Sequence, residues 1–234
     1  MCEWVSRTAL LLGTDGIAAL ANASVTVCGL GGVGAAACEA LARSGIGRLT
    51  LIDFDTIALS NINRQLPALT STVGRLKTQV MAERIQQINP ACKTYCIDQR
   101  LTAENTVQLL SGADWVVDAI DDIPGKIAII CYCKKEGIGI VSSMGTGNKV
   151  HPEQLKLADL SDTSVCPLAR HMRQQLRKVG IDKGVTVVYS QESPLPLKEK
   201  LPVGERTIGS VAFVPPVAGY LLAGYVVRQI TGLT

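Results

Sequence analysis

Apolar positions along the chain fall into short β-branched runs separated by helical patterns, the rhythm of an α/β sheet. Ser24–Cys28 predicts a strand, and Val33–Ser44 a helix of small residues able to lie close to that sheet. Gly45 and Gly47 end the helix, and Arg48–Asp53 reads as the next strand, so the stretch forms a βαβ unit with a right-handed crossover. Thr72–Ile88 has helical amphipathicity up to a stop at Asn89-Pro90, and Lys93–Ile97 reads as a strand. Thr102 is placed to cap a helix over Ala103–Leu110, and Trp115–Ala119 predicts a buried strand. Pro124 suits the first turn of a helix running to Glu136, and Ile138–Ser142 the strand that follows.

After about Val150 the rhythm changes. Gln154–Leu160 alternates like an exposed strand, Pro167–Lys178 is a basic amphipathic helix, and Val185–Tyr189 is a strand. Glu192–Arg206 reads as a Pro- and charge-rich loop, Thr207–Val214 as a last strand, and Pro216–Ile230 as a C-terminal helix. The predicted class is α/β: a Rossmann-like, mainly parallel sheet with helices on both faces. A core at 1–150 is joined, within one overall domain, by a smaller lobe with additional strands at 151–234.

Composition narrows the class. With 234 residues, 47% hydrophobic and 18% charged, the chain is long enough to bury a large core without staples. The formal net charge of +3 is too small to identify a nucleic-acid partner. The apolar tail Val211–Val227 contains Pro215-Pro216, leaving a helix short of the roughly 20 residues a bilayer needs, so no stable membrane insertion is expected. The start has no signal-peptide pattern. Of the eight cysteines, Cys28, Cys38, Cys131 and Cys133 sit in apolar runs, which points to reduced thiols in the cytoplasm. No Cys-x-x-Cys pair occurs, so no zinc is expected.

Candidate chemistry begins at Gly29-Leu30-Gly31-Gly32-Val33-Gly34. A strand-to-helix glycine turn lets phosphate approach backbone N–H groups at a helix N-terminus, although such a turn also occurs without a ligand. Asp53, at the end of the second strand, is the expected acceptor for a ribose hydroxyl; at this point a nicotinamide dinucleotide and ATP both remain open. Arg64 and Lys77 separate them, because in-line attack on a triphosphate requires fixed cations that a dinucleotide does not need. Asp118 and Asp121 lie at the ligand-binding end of their strand, where a carboxylate could hold Mg²⁺. Asp122 is read as a helix cap in preference to a ligand.

Taken in order, Ser6-Arg7-Thr8, the glycine loop, Asp53-Phe54-Asp55, Asn61-Ile62-Asn63-Arg64-Gln65, Lys77 and the Asp118/Asp121 pair resemble the ubiquitin-activating superfamily, which includes the adenylating enzymes of molybdopterin and thiamine synthesis. The resemblance implies that Gly29, Gly31, Gly32, Gly34, Asp53, Asp55, Asn61, Arg64, Gln65, Lys77 and Asp121 form an ATP site. Within that site Asp53 would bind ribose, Asn61, Arg64 and Lys77 the triphosphate, and Asp121 the Mg²⁺. Arg7 would act on the neighbouring subunit's triphosphate, making a homodimer necessary, and Arg7, Arg64, Lys77 and Asp121 would be the catalytic set.

The second half lacks the zinc pairs of the molybdopterin type. Asp159–Thr163, Cys166–Arg170, Met172-Arg173, the N-terminal SRTALLLG, MAERIQQINP and the final SVAFVPPVAG instead resemble the tRNA threonylcarbamoyladenosine dehydratase branch. That branch implies adenylation of the threonylcarbamoyl carboxylate on a tRNA base, release of pyrophosphate, ring closure and release of AMP. The same activation of a ubiquitin-like sulfur carrier is the alternative, with a sulfur-transfer protein as a possible partner. Cys166 is read as a small residue before Pro167, against the covalent cysteine some relatives use. Arg170, Arg173, Arg177 and Lys178 could follow RNA phosphates or simply face solvent, as could Lys198, Lys200 and Arg206 downstream; His151 and His171 are read as surface residues.

Overall fold

A computed structural model of the chain describes residues 3–199 and 208–233. Seven strands form one sheet in the order β3-β2-β1-β4-β5-β7-β6: β1 Ser24–Cys28, β2 Arg48–Ile52, β3 Lys93–Ile97, β4 Trp115–Asp118, β5 Gly139–Ser143, β6 Leu155–Asp159 and β7 Thr186–Ser190. Every pairing is parallel except β6 with β7, so the predicted mainly parallel sheet is present. The strands after residue 150 do not stand apart; they extend this sheet at one edge.

The helices are α1 Ser6–Asn22, α2 Gly32–Ser44, α3 Lys77–Ile88, α4 Thr106–Leu110, α5 Ile123–Glu136, α6 Pro167–Lys178 and α7 Val214–Thr231. One apolar cluster packs α1, α2, α3 and α7 on one face (Leu20, Leu41, Met81, Leu222), and a second packs α4, α5 and α6 on the other (Leu110, Ile129, Met172). Small residues let α7 cross α2 closely: a Cβ at Gly219 would meet Ala36 Cβ at 2.8 Å. No helix among the described residues is long and apolar enough to cross a membrane.

Several predicted elements are corrected. Helix α3 begins at Lys77, not Thr72, because Thr72 closes a turn through Leu69 N and Pro67 O and Gly74 adopts φ 86°. The expected strand over Thr207–Val214 does not form: Thr207 lies outside the described residues, 208–213 is irregular, and Val214 already begins α7. In place of a sheet partner, Gly209 N donates to Asn148 Oδ1, Gly209 O accepts Asn148 N, and Ser210 O accepts Asn63 Nδ2. The helix predicted over Ala103–Leu110 shortens to Thr106–Leu110, where Asn105 Oδ1 accepts Thr102 N in place of the Thr102 cap expected. Helix α1 was not recognised in the sequence beyond its SRTALLLG motif; it breaks at Gly13 (φ 71°).

Candidate active site

Strand order reverses between β1 and β4, and open α/β sheets bind ligands at the carboxyl ends of strands beside such a reversal. A cleft of about 730 Å³ lies there, lined by Gly29, Gly31, Gly32, Asp53, Asp55, Asn61, Arg64, Gln65, Lys77 and Asp121. Ten of the sequence-predicted residues thus meet in one place. A second cavity, of about 660 Å³, lies at the opposite end of the strands around Trp4, Gly45 and Asn89, away from these groups.

The cleft floor is the β1–α2 turn. Gly29 has φ 86°, and a Cβ there would sit 2.8 Å from Ala119 O. Gly34 lies beneath the cleft, where any Cβ would overlap Gly29 O, so only glycine lets the first turn of α2 close onto the strand. Helix α2 starts at Gly32 without a side-chain cap, leaving its first N–H groups directed at the cleft.

Acidic groups brace this floor. Asp53 is buried at the end of β2; its Oδ2 accepts Leu30 N at 2.6 Å and its Oδ1 accepts Asp55 N at 2.8 Å. Lys77, the first residue of α3, is buried with Nζ donating to Asp55 Oδ2 at 2.7 Å and lying 4.0 Å from Asp53 Oδ1. Lys77 therefore reaches the cleft held by two carboxylates. Asn61 caps its own turn, its Oδ1 accepting Ala58 N at 3.1 Å.

Arg64 differs. Its Nη1 donates to Ser60 O at 3.2 Å and Asn63 Oδ1 at 2.8 Å, both uncharged, and no carboxylate pairs with it among the described residues. The neighbouring Gln65 is buried, and its Oε1 is the one buried side-chain polar atom without a partner among the described residues. An unpaired cation, an orphaned acceptor and open N–H groups in a single cleft fit a polyanionic nucleotide.

On the β4 side the two aspartates part company. Asp121 is exposed at the rim. Asp118 is fully buried, with Lys126 Nζ donating to its Oδ2 at 2.9 Å, Ser142 Oγ to the same oxygen, and Ile120 N to Oδ1 at 3.3 Å. Asp118 has no free face for a metal. Asp122 caps α5 through Gly125 N at 2.8 Å, as expected from the sequence.

Sequence reasoning missed Lys126, whose Nζ also donates to Ser143 O at 2.8 Å and so ties α5, β4 and β5 together beneath the cleft. It also missed Arg100, stacked on the Phe54 ring at 4.1 Å on the cleft wall. Arg100 follows β3, one strand beyond Asp53, so the parallel topology was the only signal for it.

Other predicted residues lie elsewhere. Arg7 is exposed in the first turn of α1, adjoining Val5, which packs on Gly45 at the far end of α2. That end is about 20 Å along the 13-residue helix from the glycine turn, so Arg7 does not enter its own cleft. On α6, Arg170, Arg177 and Lys178 are exposed, Arg177 lying 3.6 Å from Asp182. Arg173 donates instead to Thr163 O at 2.8 Å and to Thr163 Oγ1, which commits it to holding that turn. Cys166 is buried before Pro167, Lys200 and Arg206 lie outside the described residues, and His151 pairs with Glu153 on the surface.

The chain is similar to several known proteins. A tRNA threonylcarbamoyladenosine dehydratase of Bacillus subtilis (strain 168) is 42% identical over 242 residues, covering 98% of this chain and 95% of that protein. The crystal structure of E. coli tRNA N6-threonylcarbamoyladenosine dehydratase in complex with ATP superposes with TM-score 0.90 at 36% identity, covering 98% of this chain and 94% of that one. The molybdopterin-synthase adenylyltransferase of Salmonella typhimurium (strain LT2) is 34% identical over 139 residues, covering 58% of this chain and 56% of that protein. Residues 5–234 match the ThiF family. This chain belongs to the ThiF family.

Proposed function

We propose that the protein is an ATP-dependent dehydratase acting on threonylcarbamoyladenosine in tRNA, activating the carboxylate as an adenylate and closing it to a cyclic base. The observation that carries this is Arg64, a cation without a carboxylate partner, facing the open N-terminus of α2 across a cleft that also holds Asp121. A nicotinamide dinucleotide would leave Arg64 without a counterpart. The α2 N–H groups and Arg64 would hold phosphates, Asp53 a ribose hydroxyl through its remaining lone pairs, and Gln65 Oε1 a donor on the ligand. Lys77, already braced by Asp55, keeps a second positive charge beside the phosphates without moving.

Asp121 would hold Mg²⁺, which supplies charge neutralisation at the reacting phosphates. No protein nucleophile is needed, because the substrate's own carbamoyl nitrogen closes the ring; the buried Cys166 fits that route. Arg7 would complete the site of a second copy, and Leu10 and Leu11 beside it, 80% and 82% exposed, supply apolar surface for a homodimer. Arg170 and Lys178, with Arg177, would meet tRNA phosphates along one helix. The seven described cysteines are all free thiols, which fits the cytoplasm.

The test is purified protein with ATP, Mg²⁺ and tRNA bearing or lacking the modification, followed by nucleoside mass spectrometry. Loss of one water from the modified base, dependent on ATP, is the expected result. An unchanged base with AMP transferred to a sulfur-carrier carboxylate would replace this reading with the alternative.

A further inference from the structure

Strand β7 ends at Ser190 in one half of the sheet, while α7 begins at Val214 against α2 in the other half. The described ends of the connection between them leave β7 at the carboxyl edge of the sheet and enter α7 beside the cleft, where Pro215 would lie 2.9 Å from a Cβ on Gly32. Its described parts, 191–199 and 208–213, form neither helix nor strand, so their backbone groups need other partners.

Those partners are few. Asn148, at φ 57°, donates its backbone N–H to Gly209 O at 2.8 Å and accepts Gly209 N on its Oδ1 at 2.6 Å. Its carbonyl accepts Leu195 N at 2.8 Å, so one residue grips both limbs of the connection. Beside it, buried Lys149 donates to Glu192 O at 2.5 Å, and the Glu192 carboxylate accepts Val150 N and His151 N. Beyond this clamp, Asn63 Nδ2 donates to Ser210 O at 3.0 Å, while Asn63 Oδ1 accepts from Arg64 Nη1. One amide side chain thus joins the connection to the cation of the nucleotide cleft.

We infer that Asn148 and Asn63 are positioning residues: Asn148 holds the connection over the sheet edge where the carboxylate substrate enters, and Asn63 couples that connection to Arg64. The inference rests on the ATP and tRNA reading above. Asn148→Gly keeps the left-handed backbone and both main-chain bonds and deletes only the Oδ1 contact. Asn63→Asp deletes the donor to Ser210 and sets a carboxylate against Arg64, whereas Asn63→Ala deletes both contacts and adds no charge.

ATP dissociation constants by calorimetry without tRNA, and steady-state kinetics with the modified tRNA, separate the two effects. Asn148→Gly should bind ATP like the parent but lose about fivefold or more in kcat/KM for the tRNA, the worth of one hydrogen bond, whereas Asn63→Asp should weaken ATP binding because its carboxylate pairs with Arg64. Asn63→Ala should lose about that factor in both. Equal ATP affinity in Asn63→Ala, or parent-like tRNA kinetics in Asn148→Gly, overturns the coupling, as does a loss shared equally by both measurements in all three variants. A parent protein that binds no ATP overturns the functional reading itself and the coupling with it.

Discussion

Lys126→Met removes one charge from a pair with no access to water. Methionine keeps most of the stem volume, so the packing of α5 persists and the loss is electrostatic. Asp118 would stay buried, with only Ser142 Oγ and Ile120 N as donors, and Ser143 O would lose its Lys126 bond. Stripping one partner from a buried pair costs about 3–5 kcal/mol, a large share of the roughly 5–15 kcal/mol that keeps a domain folded. For a chain of this size each kcal/mol lowers Tm by about 2–4 °C, so the variant should melt roughly 6–20 °C below the parent. Adding Asp118→Asn removes the stranded charge, and the double variant should recover at least half of that loss. Calorimetric melts, with urea midpoints to check that m is unchanged, measure both. A single variant within about 2 °C of the parent, or a double variant worse than the single, would refute the assignment of Lys126 as the counter-ion of Asp118.

The cleft and the rest of the chain yield further tests. Arg64→Ala and Asp121→Ala should each reduce ATP–pyrophosphate exchange about 100-fold or more while leaving the melting curve in place, since neither side chain is packed in the core; full exchange in either removes that residue from the site. If Arg7 works on a second copy, mixing inactive Arg7→Ala and Arg64→Ala proteins should restore about a quarter of parental activity, because half the dimers carry one intact site. No restoration after subunit exchange contradicts action between subunits. Burial pushes the Cys133 thiol up to about 12 and Cys92 to about 11, and raises Cys28 and Cys38 as well. Unfolded thiols ionise near 8.5, so between about pH 8.5 and 11 the folded chain binds more protons and stability should fall as pH rises. Cys96 and Cys131 are raised by burial too, and Lys149, whose pKa desolvation lowers, acts in the opposite sense, one group against six. Urea midpoints at pH 7.5 and 10 decide it; a flat or rising profile defeats the argument.

Much of the fold was legible because the alternation of Val25, Val27, Leu49, Leu51 and Val117 with helical segments leaves few options besides a parallel sheet. The glycine turn, Asp53, Arg64 and Asp121 were legible because each occupies a strand end or motif position that topology converts into proximity. Strand position alone did not separate Asp118 from Asp121, since spacing carries no burial; the family resemblance is what singled out Asp121. Lys126 was invisible for the same reason: a lysine in a helix reads as solvated until its Nζ is seen against Asp118. Arg173 read as one of four helix cations open to RNA or solvent, yet it holds the Thr163 turn. The strand expected after Thr207 failed because propensity says nothing about which partner takes the backbone, and here Asn148 and Asn63 do.

The central claim is that this cleft activates a carboxylate carried on tRNA. Pyrophosphate exchange into ATP, measured with Mg²⁺ and a single tRNA prepared with and without its threonylcarbamoyl group, tests it most directly. Exchange should appear only with the modified tRNA and vanish in Arg64→Ala. Equal exchange with both tRNAs, or none with either, would contradict the account.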